Sequence, residues 1–580
     1  MKILVRTLEY ALPCLLVAVS AFCQQSDSSQ SLGDVARRLR KDTTNEVKMT
    51  DADAKKLFES VDRVLGFAAE DTGMPKRTAV KRRLVGKADV EQDTTRRLAK
   101  EEFAKSFAQQ ELSMKKLGFL PRDFNLKEFL VKSTGQEIAA YYDDETKTIS
   151  MLNWVPPDQQ EPILAHELTH ALQDQNYDLA KWMKAVPKAE GGQPGSAKKI
   201  AGDGQIARKA VVEGQAMVVY IDYLLKPAGR SLEDTPGLIY QMEDPAVKAA
   251  IDSQLMHDAP MILREMGTFA YKEGLIFEGE LLHAGGKKMA FAGAFARPPR
   301  NSHEVLQPAA YIRGERPPDL GIPDMQALLH DQYEAYDSGG IGELDVRALL
   351  KQYGERKIAE EVSSEWRGGA YATFRRNASD HDQDKHNREK QDQDKAVGES
   401  SLSTADLGLL YVSHWKTAAV ADWFAHFYAD AVSQRYQDAK VQQAPICSGA
   451  NCPVSIAQFA TEEGPVIVES WKDNTVIVSE GFDPATAAKL QAALRDGGKR
   501  CMPRICRRER LGCGCWKFLR LPFLPRRWGN VLPKESAETS STKPHPLIGI
   551  VLWRSDASTS RLRQVARMIS FGELPTNCKP

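Results

Sequence analysis

Apolar and polar positions alternate along the chain with periods that change from segment to segment. From Val90 to Leu117 apolar residues recur among Lys, Arg and Glu at helical spacing, and Gly118 and Pro121 end the run. Over Glu137 to Leu152 the pattern shortens to that of two strands joined by the polar turn AspAspGluThrLys, which predicts a hairpin. A helix then starts near Glu161 and Pro162 and runs through His170 to about Gln175, with Leu164, Leu168 and Leu172 on its packing side. A second long helix is expected from about Gln205 to Leu225, stopped by Pro227 and Gly229. Helical sequence continues to Phe295, followed by a Pro-rich stretch from Pro298 to Pro323. Beyond Trp366 the pattern is mixed: strands at 371–374 and 409–412, a helix from Ala418 to Val432, and a hairpin over Val466 to Ser479 turning at AspAsn.

This order of elements predicts an α+β protein. A chain of 580 residues is too long for one hydrophobic core, so two or three units are expected. We divide it into a mainly helical domain over 51–354, carrying the hairpin just before its most informative helix, and a smaller α+β domain over 355–497. Within the second, residues of about 376–403 are a low-complexity Asp/Gln/Lys/His run that predicts a disordered loop between two strands. The tail over 498–580 sets Cys501, Cys506, Cys513 and Cys515 among Arg and Lys. It reads either as a metal-binding knuckle or as a disordered, even non-native, extension, and the lack of any CxxC pair favours the second.

The N-terminus has its own signature. Lys2 and Arg6 precede an apolar run from Tyr10 to Phe22, which predicts a signal peptide over 1–22 followed by a polar linker over 23–50. The run is short for a membrane span, so no stable span is expected in the mature chain. Export with cleavage is the leading expectation, secreted or periplasmic; a lipid anchor at Cys23 is the alternative, set back by the bulky Phe22 before it. Cys447 and Cys452 flank a short loop with Gly and Asn and could close as a disulfide in an oxidising compartment, or stay free thiols. Lys plus Arg equal Asp plus Glu at 78 each, which gives no electrostatic argument for a nucleic-acid partner.

The chemistry is concentrated in residues 161–175, GluProIleLeuAlaHisGluLeuThrHisAlaLeuGlnAspGln. One helical turn separates His166 from His170, so both imidazoles project from one face and can reach one ion. Zinc suits such a pair because it accepts imidazole and carboxylate in tetrahedral geometry, with a corner left open for water in catalytic sites. Glu167, one step round the helix, would take the proton of the zinc-activated water. The competing reading is a helix with two incidental histidines. A third ligand must come from elsewhere, and Glu213 in AlaValValGluGlyGlnAlaMet is the best candidate, since a lone carboxylate in an apolar run is costly to bury unless paired or bound to metal. Gly214 and Ala216 would let its helix approach the first closely. A solvated Glu213 is the alternative, and His257 and His283 are rival ligands. Asp174, one turn past His170, could accept a ring N–H and orient it, or belong to an ordinary helix-end ion pair.

HisGluLeuThrHisAlaLeuGlnAspGln with the later GluGlyxAla resembles the gluzincin branch of zinc metallopeptidases, in particular secreted bacterial proteins of that type. The likeness takes in residues 298–311 and 462–468 and covers roughly 110–495, with specific chemistry only in the HExxH and GluGlyxAla parts. It implies a zincin-like fold for the helical domain, with the hairpin strand above the cleft and polypeptide substrate bound by strand addition. In the segment at 298–311 this chain has His303 and Gln307 where such relatives carry a Glu and a His. Tyr311 and His303 are the candidates for stabilising the transition state, set against a buried structural Tyr and a surface His. The function implied is zinc-dependent peptide hydrolysis outside the cytoplasm. Hydrolysis of cell-wall peptide by an amidase, or a binding and assembly role on the same scaffold without turnover, are the alternatives.

Overall fold

A computed structural model describes residues 49–86, 88, 89, 92, 101–129, 140–154, 157–184, 201–242, 257–317, 320, 322–329, 332–377, 402–444, 447 and 452–501. The expected signal peptide, nearly all of the polar linker, most of the low-complexity loop and the tail beyond Cys501 lie outside the described residues. The described residues fold as a mixed α+β protein. No helix among them is long and apolar enough to cross a membrane.

The chain enters through α1 (Asp51–Thr72), whose Thr50 side chain caps the first turn and whose end is set by Gly73 at φ 69°. After β1 (Lys81–Val85) and α2 (Glu101–Lys116), strands β2 (Ala140–Asp143) and β3 (Thr148–Leu152) form the expected hairpin. β1 joins it by pairing with β3 in parallel, so the small sheet has the order β1-β3-β2 and leaves β2 at an edge. Three long helices follow: α3 (Pro157–Tyr177), α4 (Ala201–Leu225) and α5 (Met261–Lys287), the last continuing into a π-helical segment, Lys288–Gly293. α3 therefore begins one turn before Pro162, which sits inside the helix.

α4 and α5 touch backbone to backbone. A Cβ placed on Gly214 would lie 2.3 Å from the Gly274 carbonyl oxygen, and one on Gly274 would lie 2.4 Å from that of Ala210. Gly214 thus serves the contact with α5, where the sequence led us to expect an approach to α3.

After the short α6 (Ser302–Leu306) comes a seven-stranded antiparallel sheet. Its members are β4 (Tyr333–Gly340), β5 (Trp366–Arg376), β6 (Leu407–Trp415), β7 (Lys440–Gln442), β8 (Ser455–Thr461), β9 (Gly464–Ser470) and β10 (Thr475–Glu480), in the order β4-β5-β6-β10-β9-β8-β7. Helix α7 (Glu343–Tyr353) follows β4, α8 (Ala418–Arg435) packs on one face of the sheet, and α9 (Pro484–Cys501) on the other. The strands are buried on both sides: Leu409, Tyr411, Val466 and Val468 point into the large core shared with the helices, whereas Leu410, Val412 and Ile467 point into a second core under α9.

The division expected at 354/355 does not coincide with a break. β4 precedes it yet pairs with β5 beyond it, and the larger core runs from Leu57 to Val478 within a unit that extends to Cys501. α9 likewise continues across residue 498, where the tail was expected to start. Cys447 and Cys452 are joined as a disulfide with Cα atoms 5.6 Å apart.

Candidate metal centre

The helical spacing of the motif places His166 and His170 on the inner face of α3, with their rings edge to face at 4.7 Å between centroids. Glu213 reaches them from α4. His166 Nε2 and His170 Nε2 are 3.1 Å apart, and Glu213 Oε2 lies 3.1 Å from the first and 3.4 Å from the second. Three electron-pair donors therefore face one another in a near-equilateral triangle. Zinc holds such ligands at about 2.0–2.2 Å in tetrahedral geometry, which sets neighbouring donors about 3.3–3.5 Å apart. At 3.1–3.4 Å the triangle is slightly tighter than that, within a few tenths of an ångström, and its two imidazoles and one carboxylate are the donor types zinc accepts. It is also buried, with side-chain exposures of 1% for His166, 9% for Glu213 and 13% for His170.

The electrostatics fit a place for positive charge. Burial opposes ionisation of Glu213, but His170, His166 and Lys209 outweigh it and hold the carboxyl well below its usual range. Burial likewise disfavours a charged His170, yet Glu213 prevails and pushes its pKa up to about 9, while burial drives that of His166 down. Glu213 is thus a fixed negative charge that attracts either a proton on His170 or a metal ion between the rings.

Glu167 stands beside the triangle and contributes no atom to it. Its Oε2 accepts the backbone N–H of Tyr142, on edge strand β2, at 2.9 Å. Burial raises its pKa to about 7, against the opposing field of His170.

The other predicted residues lie elsewhere. Asp174 does not orient His170: its Oδ2 accepts the Tyr142 hydroxyl at 2.8 Å and the Lys147 ammonium at 2.5 Å, tying α3 to the hairpin. Gln173 takes the ring instead, its longer side chain reaching back so that Oε1 meets His170 Nδ1 at 2.9 Å. Tyr311 is buried with its hydroxyl donating to the Arg297 carbonyl and the Arg297 guanidinium 4.0 Å from its ring centroid. His303 pairs through Nδ1 with Glu343 at 2.5 Å and packs against Trp366. No described hydrogen bond or ring contact links either residue to the triangle. Their sequence positions in a polar Pro-rich segment do not reveal the partners that engage them. Gln307 also bonds Glu343, at 3.2 Å. The rival ligands His257 and His283 are exposed and outside the cluster.

Sequence reasoning missed Gln173, Gln215 and the Tyr142 amide. Gln215 carried the same signal as Glu213, a polar residue in an apolar run, while the role of a backbone N–H has no signal in side-chain identity. Comparison with family models, with curated proteins and with solved structures finds no match to this chain.

Proposed function

We propose that this protein is an exported zinc-dependent hydrolase of peptide bonds, with His166, His170 and Glu213 holding the ion and Glu167 as the general base. The zincin-like fold and the gluzincin grouping belong to the same proposal. The observation that carries it is the triangle of donor atoms 3.1–3.4 Å apart with Glu167 beside it. When bound there, zinc supplies Lewis acidity toward water and toward the carbonyl under attack.

The chain's own residues do the rest. Glu167 takes a proton from the attacking water and passes it to the leaving amine. The Tyr142 N–H fixes one carboxylate oxygen and leaves the other for proton transfer. Strand β2 pairs only with β3 among the described residues, and its free edge meets Glu167 through that amide. An extended polypeptide added along this edge would bring a backbone carbonyl to the centre.

The test is metal content and cleavage of an unfolded protein substrate in wild type and Glu167→Gln. We expect zinc retained in both and cleavage about 10²–10⁴-fold slower in the variant. Equal cleavage would remove Glu167 from the mechanism, and a wild-type protein that takes up no divalent metal would remove the whole reading.

A further inference from the structure

Behind His170 lies a line of buried amides whose polarity is fixed at its far end. Gln215 Nε2 sits 2.8 Å from the Ala290 carbonyl oxygen and 3.1 Å from that of Phe291, both in the π-helical segment after α5. Main-chain carbonyls only accept, so the nitrogen of the Gln215 amide must face them and its Oε1 must face back. There Gln173 Nε2 donates to Gln215 Oε1 at 3.1 Å and to the Val212 carbonyl at 3.0 Å, a second acceptor that demands the same orientation. Gln173 Oε1 is left toward His170 Nδ1 at 2.9 Å, and an amide oxygen there requires that Nδ1 carry the hydrogen. Both glutamines are fully buried, so water does not compete for these bonds.

We infer that the Gln173–Gln215 relay is a tautomer lock: carbonyls on a different helix dictate that His170 carries its proton on Nδ1 and offers a bare Nε2 to the metal. The inference rests on the zinc reading above and concerns positioning residues that touch neither metal nor substrate. His166 lies outside this relay: its ring stacks on Tyr271 with 6.1 Å between centroids, and the Ala216 main chain is its backbone hydrogen-bonding partner. The relay therefore orients one of the two rings.

The experiment uses the full chain and zinc itself. Zinc affinity is measured by chelator competition for wild type, Gln173→Met, Gln173→Glu and Gln215→Met, and the histidine ring N–H signals of ¹⁵N-histidine-labelled, zinc-loaded protein are recorded for each. Wild type should show a slowly exchanging Nδ1–H for His170. Gln173→Met should lose that signal and about 10–100-fold in affinity, in the range found for partners of metal-bound histidines. Gln173→Glu keeps an acceptor at the ring and should retain the signal and most of the affinity. Gln215→Met leaves the Val212 carbonyl in place, so it should exchange faster with a smaller loss.

Unchanged affinity in a folded Gln173→Met protein overturns the lock while leaving the zinc site intact, as does equal loss in the Glu and Met variants. If Gln173→Met does not fold, the comparison of Gln173→Glu with Gln215→Met decides, and a Gln215→Met protein with unaltered exchange counts against the relay. A wild-type protein that binds no zinc sinks the zinc reading and this inference with it, which is a different result from any of these.

Discussion

Two buried carboxylates sit in the large core, and their surroundings differ in kind. Glu480 on β10 is fully enclosed and fully served: Tyr428 Oη and Arg435 Nη1 donate to Oε1 at 2.7 and 2.9 Å, and Arg435 Nη2 and Tyr436 Oη donate to Oε2 at 2.9 and 2.5 Å. Burial opposes its charge, but Arg435 and Lys116 prevail and keep it ionised. Glu213 is also buried, yet it faces two imidazole nitrogens that are themselves lone-pair donors when neutral. The first cluster is electrically closed by the protein. The second closes around a proton on His170 or, on the proposed reading, around a metal ion. Depth of burial alone does not separate structural from functional charge, and the identity of the atoms turned toward it does.

The sharpest test of this contrast pairs one substitution in each cluster. Arg435→Met strands Glu480 without its counter-ion in a buried place, and we expect a loss of roughly 3–5 kcal/mol in denaturant unfolding, with zinc stoichiometry in the folded fraction unchanged. Glu213→Gln should act on the metal: zinc affinity falls by more than about 100-fold, beyond the range of an outer partner, whereas its cost to the metal-free protein is the loss of the pairing with protonated His170. If both substitutions cost stability and neither affects metal, the distinction between closed and open clusters fails.

A smaller effect is expected where α4 meets α5. Replacing Gly214 by Ala drives a methyl group against the Gly274 carbonyl, which neither helix can relieve by rotating a side chain. Overpacking of this kind costs about 1–3 kcal/mol. Because the displaced helix carries Glu213 and Gln215, zinc affinity should fall as well, which chelator competition would register. A Gly214→Ala protein with native stability and native affinity would show that the close approach does not position the centre.

How much of this could be read from the chain follows from range. His166, Glu167 and His170 are set by the period of one helix, and Glu213 announced itself as a lone acid in an apolar run, so the residues of the centre were legible locally. The hairpin and the second long helix were legible for the same reason. β1 was not, because LysArgArgLeuVal reads as a charged surface segment. Its arginines are accommodated only in three dimensions, Arg82 on the Phe58 carbonyl and Asp62, Arg83 on Ser150 and Tyr141. β4 was missed because half its positions are Gly, Ser and Asp, which become a strand only beside β5. Asp174 and Gln173 differ by one position on a single helix, and the choice between them lies in the hairpin, where Tyr142 and Lys147 claim the aspartate.

The last effect is read against pH and concerns a third kind of buried acid, one that keeps its proton. Asp345, at the start of α7, accepts the Gly342 N–H at 2.8 Å, and burial together with the nearby Asp203 carboxyl raises its pKa to about 8. Unfolded, the same group titrates near 3.8. Between about pH 4 and pH 8 the native state therefore binds a proton that the unfolded state has released, so stability falls as pH rises through this window. Asn at 345 keeps an acceptor for Gly342 and has nothing to ionise. Asp345→Asn should then match wild type near pH 4 and exceed it increasingly toward pH 8, by up to about 1.4 kcal/mol for each pH unit, read from urea midpoints across the range. A difference that does not change with pH would mean that the native carboxyl is already ionised, and that Asp345 belongs with Glu480 among the charges the protein closes by itself.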